Sequence, residues 1–127
     1  TMKRNDLQNR LIDFGVNTTN ICEKLPASYT ARYLADQLCR SALSPALNYG
    51  EAQMAESRKD FIHKMKVCLK ELKESEVSLE IISRKNYGKS EEIEKLKGEL
   101  DQLISIFVKS VQTARKTSTS KINNIHS

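Results

Sequence analysis

The sequence predicts an all-α fold, four helices in an antiparallel, up-down-up-down bundle. Three observations lead there. Four glycines, two prolines and few aromatic residues among 127, beside many Leu, Ile, Lys, Glu and Ala, describe helices and argue against a many-turned sandwich or barrel. Two seams step by four and three residues: Phe61, Met65, Cys68, Leu72, Ser75, Leu79, Ile82, and then Ile93, Leu96, Leu100, Leu103, Phe107, Val111, Ala114. A short turn at Asn86-Tyr87-Gly88 lies between them, so these two helices are expected to fold back on one another and bury their stripes together. The length suits one hydrophobic core and one domain.

The first helix is expected from about Asn5 to Lys24, because Leu7, Leu11, Phe14, Thr18, Ile21 and Leu25 keep the same period, with Asp6 near its positive end. Pro26 ends it, since proline cannot continue the hydrogen-bond ladder. Ser28 or Thr30 can cap the second helix, which carries Leu34, Leu38, Ala42, Ala46 and Tyr49 and reaches about Ala55. Pro45 removes the amide that would bond the Ser41 carbonyl, and Gly50 lowers propensity nearby, so a kink or loosening is expected between Ser41 and Tyr49. The third helix should run from about Ser57 to Lys85, where Asn86 or Gly88 takes the left-handed cap conformation. Ser90 starts the fourth, with Glu91, Glu92 and Glu94 against its dipole, and Lys116 ends it. Residues 3–116 thus form the bundle domain. Residues 117–127, rich in Ser, Thr, Asn and Lys, read as a disordered polar tail, and Thr1 ahead of Met2 as a cloning remnant.

The formal net charge of +5 permits a nucleic-acid partner without demanding one. No run is apolar enough to span a bilayer and the start has no signal-peptide core, so no membrane partner and a cytoplasmic location are expected. Cys22, Cys39 and Cys68 are odd in number, widely spaced and without a C-x-x-C pair, which suits buried reduced thiols better than ligands.

Two constellations stand out. Arg40, Ser44, Asn48 and Glu51 lie on one face of the second helix around Pro45, either as a structural hydrogen-bond network or as a row facing another subunit or ligand. On the third helix, Lys59, Lys66, Lys70, Lys73 and Arg84 project within one wedge opposite the core seam, at about 100° per residue. Such a stripe is either a solvated face or a sequence-tolerant contact to phosphates. Base readout finds no support, because it would want aromatic platforms or a recognition motif. Chemistry fares worse. A di-iron bundle needs two Glu-x-x-His pairs, and the chain has only the related Asp60-x-x-His63, with His126 in the tail. His63 sits five residues from Cys68 along one helix and reads as a surface residue, not a base for a nucleophile. No glycine loop cradles phosphate. No catalytic residue, metal or cofactor is expected.

The segment Arg40-Ser41-Ala42-Leu43-Ser44-Pro45-Ala46-Leu47-Asn48-Tyr49-Gly50-Glu51-Ala52 resembles the 23S rRNA-intervening-sequence proteins, whose second helix carries R-S-x-x-S-x-x-x-N-Y-x-E-A. Ser57-Arg58-Lys59-Asp60-Phe61-Ile62-His63-Lys64-Met65 and Leu69-Lys70-Glu71-Leu72-Lys73-Glu74-Ser75 resemble that family's third helix, and Val108-Lys109-Ser110-Val111-Gln112-Thr113-Ala114-Arg115 its fourth-helix ending. Where many relatives carry an aromatic pair in the third helix, this chain has Val77-Ser78. The resemblance implies a left-handed bundle that associates as a ring-shaped homopentamer, and it brings no catalytic residues. Relatives include proteins encoded in inserts of large-subunit rRNA genes and accessory proteins of diversity-generating retroelements, which bind a reverse transcriptase and RNA through basic surface.

The expected function is therefore a non-enzymatic, self-assembling helical module that presents basic surface to RNA, DNA or a nucleoprotein partner such as a reverse transcriptase. The alternative is a protein-interaction scaffold whose charge only keeps it soluble.

Overall fold

The computed structural model describes the backbone of residues 4–126 and the side chains of residues 5–116. Four helices make up the described chain: α1 (Arg4–Cys22), α2 (Tyr29–Gln53), α3 (Arg58–Arg84) and α4 (Ser90–His126). The starts follow the local chemistry. Ser28 caps α2 by accepting the Ala31 amide at 3.3 Å, and Ser57 caps α3 by accepting the Asp60 amide at 3.0 Å, each satisfying a donor the helix itself cannot. At the end of α3 the Tyr87 amide reaches back to the Ile82 carbonyl at 3.1 Å and the Asn86 amide to Ser83 at 3.0 Å. This is the paired closure that a left-handed residue makes possible, and Asn86 supplies it at φ 59°. Gly88 then turns the chain at φ 76°, with Leu25 packed 3.3 Å from where a Cβ would stand.

Pro45 lies inside α2, which runs from Tyr29 to Gln53. The buried Pro45 ring packs in the interior, and its carbonyl accepts the Cys68 thiol of α3 at 3.5 Å, so packing holds the helix where propensity would weaken it. Helical backbone in α4 runs to His126, past the end expected at Lys116, because the stretch after Lys116 contains neither glycine nor proline to stop it. The side chains of the expected tail lie outside the described residues.

Each helix packs against its chain neighbours, and α1 closes the ring against α4, the thinnest of the four seams. Paired residues count up one helix as they count down the next: Gln8 with Ala46, Ser41 with Ser75, Pro45 with Cys68, Glu51 with Lys64. The three pairs between α2 and α3 show that these two helices run antiparallel. Inside lie Leu11, Phe14, Leu38, Met65, Leu72, Leu79, Leu100, Leu103 and Phe107, all buried, with Tyr49 edge-on to Phe107 at 5.8 Å between ring centres. Phe61, expected among them, is only partly buried, since it sits in the first turn of α3 where the bundle ends. Gly15 lets α1 approach α2 closely: a Cβ there would stand 3.1 Å from Leu43 Cδ2 and 3.2 Å from the Ala42 carbonyl oxygen.

Two polar features sit in the interior. Ser75, the polar member of the α3 seam, hydrogen-bonds Ser41, whereas the buried Thr18 hydroxyl of α1 has no hydrogen-bond partner among the described residues. Cys68 and Cys22 are buried, but Cys39 is only half-buried and lies beside Cys22, so the thiols widely spaced in sequence include one neighbouring pair across α1 and α2. No described helix is long and apolar enough to cross a membrane.

Candidate nucleic-acid and assembly surfaces

The core seam of α3 turns the opposite side of that helix outward, and all five basic residues of the predicted stripe are on it. Lys59, Lys66, Lys70, Lys73 and Arg84 are exposed. They differ in their partners. Arg84 donates to Glu80 at 2.9 Å, and Glu80 also accepts Lys97 of α4 at 2.7 Å, so this end of the stripe is neutralised. The two cations hold the Glu80 carboxyl below its usual range, Lys97 contributing most. Among the described residues Lys59, Lys66, Lys70 and Lys73 form no ion pair, and a Lys70 to Glu74 pair of the kind a solvated face would show is not made. Glu71 and Glu74 stand close to each other instead, and burial together with Glu74 raises the Glu71 carboxyl. The four lysines thus stay outside the ion pairs of the described residues, with Lys70 near enough to Glu71 to act against that rise.

The polar row of α2 resolves into three separate contacts. Arg40 pairs with Asp36 one turn earlier at 2.8 Å, both exposed. Asn48 donates to the Ser44 carbonyl at 3.0 Å and to the Ser44 hydroxyl at 2.8 Å, which anchors its amide within the helix. Glu51 reaches across to Lys64 at 3.5 Å. Only Ser44 and Asn48 are brought together. Arg40 and Glu51 lie at the outer edge of the same helix.

Between these polar groups α2 carries an apolar stripe that the seam count did not single out. Leu47 is 71% exposed and Leu43 44%, with Tyr29 and Tyr33 further back along the helix and Met54 at its end. Ile12 and Val16 are also exposed, on α1 on either side of Gly15 where that helix meets Leu43. Large apolar residues clustered on a solvent face mark a contact surface more often than chance would place them there. Their signal in the sequence is the run Leu43, Leu47 at helical spacing, hidden because α2 is apolar on its inner face as well.

Comparison with known proteins agrees with the fold. The family model described as 23S rRNA-intervening sequence protein matches residues 3–109. The chain is also similar to a crystal structure from Bacteroides thetaiotaomicron VPI-5482, a protein of unknown function from the S23 ribosomal protein family. The two are 29% identical over 87% of this chain and 99% of the other, with a TM-score of 0.79. No curated protein matches significantly.

Proposed function

Because the chain belongs to the 23S rRNA-intervening sequence protein family, we propose that it is a non-enzymatic module that assembles with copies of itself and binds nucleic acid through α3. The observation that carries this is the row Lys59, Lys66, Lys70 and Lys73, exposed and outside the ion pairs of the described residues. Lysines in that state displace the cations condensed on nucleic-acid phosphates, and that release drives sequence-tolerant binding. Self-assembly would draw on the exposed stripe of Leu43 and Leu47 beside Ile12 and Val16, and the family resemblance implies a pentameric ring. A ring repeats the lysine row in every subunit, so individually weak rows gain avidity on one strand.

The test is fluorescence anisotropy on mixed-sequence RNA between about 50 and 200 mM salt, over which several phosphate contacts should weaken binding by orders of magnitude. Changing Lys66, Lys70 and Lys73 together to Glu should abolish binding with helical signal and particle mass unchanged. Light scattering tests assembly, and Leu43→Lys with Leu47→Lys should yield monomers. The apolar stripe by itself favours a second reading, a protein-contact scaffold without nucleic acid. That reading takes over if the wild type shows no binding at low salt.

A further inference from the structure

Beside the lysine row lies a groove between α2 and α3, about 630 Å³ in volume. Tyr33 and Gln37 form its α2 wall, and Lys70, Lys73, Val77 and Ile81 its α3 wall, with Glu74 as the carboxylate among its lining residues. We propose that this groove holds an unpaired nucleic-acid strand, with Lys70 and Lys73 on its phosphates and the Tyr33 ring stacked on a base. The proposal rests on the nucleic-acid reading above and narrows its ligand to single strands.

Sequence-tolerant single-strand binding needs two things together, cations that track the backbone and an aromatic face on which any base can stack. The groove has both. Tyr33 is 56% exposed, and Tyr29, one turn earlier on the same helix, is 81% exposed. A ring held this far out of the core gains little from burial and is available to a flat partner. Val77, 60% exposed, and Ile81 continue the groove with apolar surface suited to sugar and base faces.

Register sets the direction. Ser41 pairs with Ser75 across the antiparallel helices; Tyr33 lies about two turns before Ser41, and Ile81 nearly two turns after Ser75. Tyr33 therefore comes level with Ile81, and the two lysines stand further along, so a strand would lie lengthwise and meet ring and ammonium groups in succession. A duplex offers phosphates to the lysines but keeps its bases stacked inside, out of reach of Tyr33. An acidic peptide helix would want a continuous apolar floor, whereas here amide, ring and ammonium groups interrupt it.

The experiment compares the full chain on labelled mixed-sequence single strands, on the order of 15 nucleotides, with the matched duplex at low salt. The single strand should bind more tightly. Tyr33→Ala should weaken single-strand binding by roughly 5- to 150-fold, the range of one lost base stack, and leave duplex binding unchanged, while Tyr33→Phe retains wild-type affinity. Equal binding to both forms, or a Tyr33→Ala variant unchanged on single strands or weakened equally on both, would overturn the groove. The lysine row would still stand if the Lys66, Lys70 and Lys73 change abolished binding in that case. Polyglutamate displacing the strand as well as unlabelled RNA does would also reject a strand site. No binding of any nucleic acid at low salt would remove the broader reading and this one together.

Discussion

The Ser75 hydroxyl donates to the Ser41 hydroxyl at 2.8 Å, and Ser41 in turn donates to the Leu38 carbonyl at 3.3 Å, a two-step relay buried between α3 and α2. The relay has a direction, and that makes its two ends unequal. Ser75→Ala removes the outer donor and leaves Ser41 still bonded to Leu38, costing about 0.5 to 1.5 kcal/mol. Ser41→Ala strands the Ser75 proton in the interior and should cost about 1 to 3 kcal/mol. Urea denaturation of both variants and of the double variant checks the order. The double should cost less than the sum, because removing both partners strands nothing.

Thr18 presents the opposite case. Its hydroxyl is buried without a hydrogen-bond partner among the described residues, so the fold already bears the desolvation cost that Ser41→Ala would create. Thr18→Val keeps the branched shape and deletes that hydroxyl. The expected outcome is a gain of about 1 kcal/mol in unfolding free energy, and a loss would mean that the hydroxyl has a partner such as a trapped water.

The buried thiols set a pH response. Burial, with the neighbouring Cys39 thiol adding to it, pushes Cys22 up from 9.0 to about 12, and burial pushes Cys68 from 9.0 to about 12. Both folded values exceed the unfolded one, so their contribution to stability is fully present below pH 9.0 and is lost as pH rises toward about 12. In that window the unfolded chain releases protons that the folded chain retains. The denaturation midpoint should fall steadily above pH 9, and Cys22→Ala with Cys68→Ala should flatten that fall. In the native protein at about pH 8, alkylation should leave Cys22 and Cys68 largely untouched.

The helices were legible because a seam of four- and three-residue steps needs no tertiary information, and Ser57, Asn86 and Gly88 mark boundaries through local chemistry. Phe61 looked like core on periodicity alone, and only the end of the bundle leaves it half-open. Five of the basic residues of α3 were legible as an outward wedge, but the Glu80 that pairs with Arg84 reaches over to Lys97 of α4, which depends on how α3 and α4 pack. Tyr33 stayed hidden for a similar reason. Its role in a groove requires knowing that α3 brings Lys70 and Lys73 beside it, and no pattern along α2 contains that register. The closeness of Cys22 and Cys39 likewise depends on how α1 meets α2 across the Pro26 turn.

The thin seam between α1 and α4 has a dynamic counterpart. Arg10 bridges it by a hydrogen bond to Glu99 at 3.0 Å and another to Gln102 at 2.9 Å, contacts that are at most partly buried, while α2 and α3 share the most extensive interface and the buried serine relay. Cooperative opening begins where the fewest buried contacts must be given up. In hydrogen exchange the amides of α1 and α4 should therefore lose protection first, as the seam between them parts, and the inner turns of α2 and α3 last. The α2–α3 hairpin, which also carries the candidate groove, would behave as the slowest-exchanging unit of the protein.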